Sequence, residues 1–502
     1  MPRPLSSTAT TLAVESNELP RPGAAGSAES GAGPSQGVAD LYRSLVETAV
    51  SVVRRRRLDL VTEAALIGIY LVLRTVGADG QALGPWLVAA LIVTLVAPTS
   101  GLVVLAAIAP FSEGFLLTRD VGAKTVLGLA VLAAVALRYA VDRTARLRPS
   151  LPVVLAMALF MVSGLSLVET RLRWGNDYAT AAAQIWLQGV GVMLVIFGVG
   201  AWTARRGELR PVVVAVGAAT VAGLMSLADF VVGPSVHDGI LSWALAGDPT
   251  IPRLTGVTQS PTATAALAML PMMVLLTVAV LAPVRRMWRV TAALLAVPLL
   301  AAAYLTYNRA VFIALFALVV LLGWRVRRRL GIALLAAGLI VSVILVPLYL
   351  SSRIQALGST VEPGQVLIAS DQQRLGAWAA AGRMFLDQPL IGQGYRAYRQ
   401  LSIQFGDPTL NAPHSEWLRF FAEGGLVAGG LALAFVSATV MRMARRPDWR
   451  VTACLAAFAS MVIASSFNNP FLFNQVTIPA FLIAGTGLGL AERAREFTTP
   501  DG

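Results

Sequence analysis

One short polar island in an otherwise apolar chain carries the groups best suited to move a proton. It runs Asn411-Ala412-Pro413-His414-Ser415-Glu416 and is followed by Glu423-Gly424-Gly425. His414 is one of only 2 histidines in 502 residues, and it falls where a long polar stretch gives way to a new apolar run. A neutral imidazole accepts a proton from a hydroxyl near neutral pH, and Pro413 fixes the local backbone. Glu423 lies about two turns into the apolar run, where a carboxylate is costly and usually paired or functional. It suits orienting His414 or pairing with an arginine. A histidine at a helix start also suits a plain cap or interface contact, and residue type alone does not choose. His237, in another polar loop, has weaker company and reads as structural.

Two arginines stand apart from the others. Arg309, in Tyr307-Asn308-Arg309, separates two apolar runs and has no acidic neighbour in sequence. It either snorkels to the interface or holds a phosphate through its planar fork. Arg374 opens the stretch Asp371 to Trp378, whose apolar positions Leu375, Trp378, Ala381, Phe385 and Leu386 recur at helical spacing. Pro389 ends that helix, and Gly392 and Gly394 make tight turns. A helix of this kind can lie on a bilayer surface as a lid. No metal-ligand set and no nucleophile elbow is recognisable. The single cysteine, Cys454, excludes an intramolecular disulfide.

These groups are positioned by greasy scaffold. The chain is 56% hydrophobic and 13% charged, whereas soluble domains carry about 25% charged residues. Apolar runs long enough to cross a bilayer recur along nearly its whole length. The expected fold is all-α and polytopic, with about 12–14 transmembrane helices. The spans read as Leu58–Val76, a tight pair Leu83–Val96 and Leu102–Phe111, Val121–Val141, Leu151–Leu167, Ala181–Trp202 and Pro211–Val232. Then come Thr262–Ala282, Val290–Thr306, Ala310–Trp324, Leu330–Leu350, Glu416–Val440, Val451–Phe467 and Val476–Ala491. The long loop 351–415, with its amphipathic helix, precedes the last three spans.

The net charge of +13 does not point to nucleic acid, because the arginines cluster in short loops between spans. Arg54 to Arg57, Arg205 to Arg210, Arg285 to Arg289, Arg325 to Arg329 and Arg442 to Arg450 all fall on one side if the span number is even. That is the positive-inside pattern. It predicts cytoplasmic termini and an outward-facing polar island in an inner, cytoplasmic membrane. The organisation follows: a basic cytoplasmic tail at 1–57, disordered by composition to about Gln36; an N-terminal bundle at 58–252; a second region at 253–491 holding the polar segments; and a cytoplasmic tail at 492–502.

In their order, four segments resemble the O-antigen ligase and polymerase superfamily of membrane glycosyltransferases. They are Arg253 to Thr262, Tyr307 to Ala310, Arg374 to Gly394, and Asn411 through His414 to Gly425. The resemblance implies a donor glycan on undecaprenyl diphosphate, a glycan, lipid or protein acceptor, and no metal or other cofactor. It makes His414 the general base. Arg309, Arg374 and more weakly Arg253 would hold the diphosphate, with Glu423, Asn411 and Gly394 in support. Gln259, Thr262 and Ser415 replace asparagines of the family pattern, which leaves donor and acceptor open. A transporter or flippase of lipid-linked glycan or small solute is the alternative; it would place ionisable groups at mid-membrane.

Overall fold

The computed structural model describes residues 56–74, 80–111, 122–141, 149–232, 254–258, 260–306, 308–333, 335–336, 363–407 and 412–496. The chain divides into two units, Met1–Leu58 and Asp59–Gly502, and almost all described residues belong to the second. Among the described residues the regular structure is helical, without a strand: α1 (56–74), α2 (Gly80–Val96), α3 (Pro98–Ile108), α4 (Ala123–Val141), α5 (Leu151–Trp186), α6 (Val192–Arg205), α7 (Arg210–Val232), α8 (Pro261–Leu281), α9 (Arg286–Leu305), α10 (Arg309–Val326), α11 (Pro363–Asp387), α12 (Ala397–Leu401), α13 (Glu416–Ala444), α14 (Trp449–Ser465) and α15 (Asn474–Glu496). Eight helical stretches among the described residues are long and apolar enough to cross a membrane. With no water in the bilayer core, a helix is how such a segment satisfies its backbone groups. The chain is therefore an all-α polytopic membrane protein.

Helix starts follow capping chemistry. The side chains of Ser260, Asn308, Ser415 and Asp448 each accept a backbone amide in the first turn of α8, α10, α13 and α14. The central contact joins α6 to α15. A Cβ on Gly485 or Gly489 would run into the backbone of Phe197 or Ala201, so these glycines let the two helices approach closely. α8 packs on α9 and α14, and α13 packs on α5.

The spans Leu151–Leu167 and Ala181–Trp202 are two arms of one hairpin. Helical structure continues through the expected loop between them and breaks at Gly175 (φ 80°, ψ 179°). The arms meet where Trp186 Nε1 donates to Ser163 Oγ at 2.9 Å and the Phe160 and Trp186 rings sit 4.9 Å apart. The polar tip stays helical because its side chains satisfy one another, as in the 2.6 Å Glu169–Arg173 ion pair.

The arginine clusters gather at one end of the bundle. Arg205 bonds Glu492, Arg210 bonds Glu63 at 3.0 Å, Arg325 donates to the Ala444 carbonyl at 2.8 Å and Arg138 to the Val96 carbonyl at 2.7 Å. Each bond ties together helix ends at the arginine-rich side. Chain direction then puts the starts of α8, α10, α13 and α15 at the opposite end.

Candidate functional site

That opposite end is organised around a break in α13. At Gly425 the backbone leaves the helix (φ 64°, ψ −162°), which orphans carbonyls before it and amides after it. The turn following α11 fills the gap. Gln393 and Gly394 amides donate to the Ala422 and Glu423 carbonyls at 3.1 and 2.9 Å, and Leu426 and Val427 amides donate to the Pro389 and Leu390 carbonyls at 2.7 and 3.2 Å. Gly392 (φ 71°) and Gly425 lie against each other, and a Cβ on either would overlap the other segment's backbone. Gly392 thus serves more than a turn, and Gly425 admits that turn against the broken helix. Gly394 (φ 98°) also lies close to Thr170 of α5, where an added Cβ would meet the Thr170 hydroxyl at 2.9 Å.

The N-terminal part of α13 carries a buried charge network. Arg419 is ion-paired with Glu416: its Nε donates at 2.8 Å and its Nη2 lies 2.6 Å from the same carboxylate. Glu416 also accepts the Phe471 amide at 2.9 Å, anchoring the loop before α15. Glu423 accepts the amides of Arg396 and Tyr398, the latter at 3.4 Å, and lies in the field of Arg419. It thereby holds Arg396 in a left-handed conformation (φ 66°), which Tyr178 secures from the other side by donating to the Arg396 carbonyl at 2.9 Å. Glu423 therefore serves the backbone of the 394–398 segment. Buried ions persist only when so paired.

His414 precedes this network in a left-handed conformation (φ 49°) that is rare for a side-chain-bearing residue and costs about 1–3 kcal/mol. It is held between buried Pro413 and Ser415, whose hydroxyl and carbonyl both accept amides of α13. Burial lowers its pKa below the ordinary 6.5, the Arg374 guanidinium lowers it further, and the Asp407 carboxylate opposes both. Arg374 and His414 thus share one electrostatic neighbourhood, though 40 residues separate them in sequence. Asp407 is buried and accepts the Tyr398 hydroxyl at 2.7 Å; the same hydroxyl lies 3.1 Å from the Ala377 carbonyl, one turn past Arg374. Burial and that carboxylate hold the Tyr398 phenol well above its usual pKa, as a neutral donor.

Arg309 starts α10 beside the same end. Its neighbour Asn308 caps the helix and accepts Asn468 Nδ2 at 3.2 Å, in the loop that Glu416 anchors through Phe471. Leu254 donates to the Leu305 carbonyl at 3.2 Å, bringing the 254–258 segment to this end too. Arg253, Gln259 and Asn411 lie outside the described residues. Among the described residues no group of three or more His, Cys, Asp or Glu could hold a metal ion.

Arg419, Asp407 and Tyr398 are not singled out by the sequence, and Glu416 stands in the polar island without an assigned role. Glu416 and Arg419 had a signal: charges at 416, 419 and 423 share one face of a helix in apolar sequence. Asp407 had none, being a lone acid in a loop. The structure also extends the helix before Arg374 back to Pro363 and buries Ala377, Ala380, Ala381 and Met384. Of the expected apolar face, Ala381 is buried and Trp378 and Phe385 are half-buried, Phe385 packing on Phe421 at 5.5 Å, while Leu375 and Leu386 point outward.

An all-helical membrane bundle with a broken helix, and with Arg374 and His414 in one electrostatic neighbourhood at the end opposite its arginine-rich loops, defines the class. Residues 292–433, from α9 through the break in α13, match the family model described as O-Antigen ligase, so this part of the chain is similar to that family. The match takes in Arg309, Arg374, His414 and Glu423, and leaves out Arg253. No curated protein matches the chain significantly.

Proposed function

We propose that this protein transfers or polymerises an undecaprenyl-diphosphate-linked glycan at the outer face of the cytoplasmic membrane. The family match supports the coarser role, a membrane glycosyltransferase-like part in polysaccharide biosynthesis. The observation that carries the finer reading is a half-buried His414 lying in the field of Arg374, which with burial lowers its pKa. His414 is then neutral near pH 7 and ready to take a proton. It removes the proton of the acceptor hydroxyl, the hydroxyl oxygen bonds to the anomeric carbon, and the bond from that carbon to the diphosphate oxygen breaks. Arg374 and Arg309 stabilise the charge that develops on the departing diphosphate. Asp407 works against that lowering of the His414 pKa. The outward orientation is supported by the arginine clusters, which gather at the other end as cytoplasmic loops do.

The test is transfer of labelled glycan from undecaprenyl diphosphate to candidate acceptors by the purified protein. His414→Ala should cut turnover by about 100-fold or more, the usual contribution of a general base, with folding unchanged. Arg309→Lys should also be impaired, because an ammonium does not reproduce the guanidinium fork. Wild-type turnover in His414→Ala would remove the base assignment.

A further inference from the structure

The outward face of α11 is built the wrong way round for water. Its inward positions are small, Ala377, Ala380 and Ala381 beside Met384, while Leu375 is 60% exposed and Leu386 74% exposed. Eleven residues apart, these two leucines sit about three turns from each other on one face. The stripe continues into the turn, where Leu390 is 66% and Ile391 60% exposed. A helix lying on a protein in water sends its large apolar side chains inward, and a contiguous exposed apolar patch marks a contact surface.

The charged groups flanking this stripe are exposed but bonded to the protein. Arg383 donates to the Phe405 carbonyl at 2.9 Å, and Asp387 accepts Gln393 Nε2 at 2.8 Å. The stripe is also continuous with a membrane-crossing helix. The bonds from the Leu426 and Val427 amides to the Pro389 and Leu390 carbonyls set the turn directly against α13. There Leu426 and Val427 are themselves exposed on a helix long and apolar enough to span.

We propose that the outward face of α11 and the turn after it are seated among the acyl chains of the bilayer leaflet at the site end of the bundle. The partner is bulk lipid: the surface is mainly apolar, the exposed Arg383 and Asp387 at its flank are bonded to the protein, and it runs without a step into the exposed apolar side of α13. The Arg374–His414 neighbourhood then sits at the level of the interface, on a helix held in lipid along one side. This inference needs only that the chain spans a membrane and is independent of the reaction it performs.

The experiment uses full-length protein with Cys454→Ser, in nanodiscs of phosphatidylethanolamine and phosphatidylglycerol. Leu375→Cys, Leu386→Cys, Leu390→Cys and Ile391→Cys are spin-labelled one at a time. Collision with oxygen, which partitions into lipid, is compared with collision with a water-soluble nickel chelate. All four sites should favour oxygen several-fold, as Leu426→Cys does, while Arg399→Cys favours the chelate. Preference for the chelate at these sites would overturn the proposal. So would protection from both reagents, which would mean cover by protein, or an oxygen preference that arises only on adding polyprenyl phosphate. Four separate sites keep the reading intact if one label prevents folding.

Discussion

His414 draws its chemistry from two charges that sequence does not place beside it. Arg374 and burial lower its pKa, and Asp407 raises it. The sign of each substitution follows. Activity that needs neutral His414 is lost as pH falls through its pKa, below the ordinary 6.5. Removing the cation in Arg374→Gln should move that acidic limb to higher pH. Removing the anion in Asp407→Asn should move it to lower pH, with the Tyr398 contact kept by the isosteric amide. A pH profile of kcat/KM reads both, and shifts in the same direction would contradict the arrangement. Arg419 makes a different prediction. Arg419→Met leaves Glu416 and the neighbouring Glu423 buried without a cation, and losing one partner of such a pair costs about 3–5 kcal/mol. Thermal unfolding in detergent should show the loss, larger for Arg419→Met than for Arg419→Met combined with Glu416→Gln.

At the scale of elements, the break in α13 is the device on which the site depends. Four backbone bonds exchange between the 389–394 turn and the 422–427 segment, and two glycines make room for them. Gly425→Ala places a Cβ against the Leu390 carbonyl at a backbone conformation (φ 64°, ψ −162°) that essentially only glycine adopts, which alone costs about 1–3 kcal/mol. The turn should detach, taking with it the 394–398 segment that Glu423 holds. Glycan transfer should fall sharply, and protease should gain access to residues 388–398. Gly430→Ala, five residues on with nothing near its added Cβ, should behave as wild type. Equal activity in the two variants would show that the break does not position the site.

At the scale of the whole molecule, the two ends differ in charge. Arginines bonded as Arg205–Glu492 and Arg325–Ala444 hold one end; the Arg309, Arg374 and His414 segments occupy the other. A cytoplasmic arginine end predicts that, in intact cells carrying Cys454→Ser, a membrane-impermeant thiol reagent labels Arg399→Cys and spares Arg450→Cys. The reverse labelling would invert the proposed topology.

The sequence by itself determined the class, because long apolar runs leave a backbone in lipid no choice but helix and the arginine loops mark one side. It also exposed His414, Arg309 and Arg374, since charge is costly and conspicuous in apolar surroundings. Only the tertiary structure decided what those residues touch. Asp407 reaches His414's field through a fold that also brings α11 beside it, Glu423 serves the amides of Arg396 and Tyr398, and the leucines of α11 face outward while its alanines pack inward. Helical periodicity reveals that faces differ, but not which partner each face meets. That depends on contacts between residues far apart in the chain, such as Leu390 with Val427, and local pattern carries no record of them.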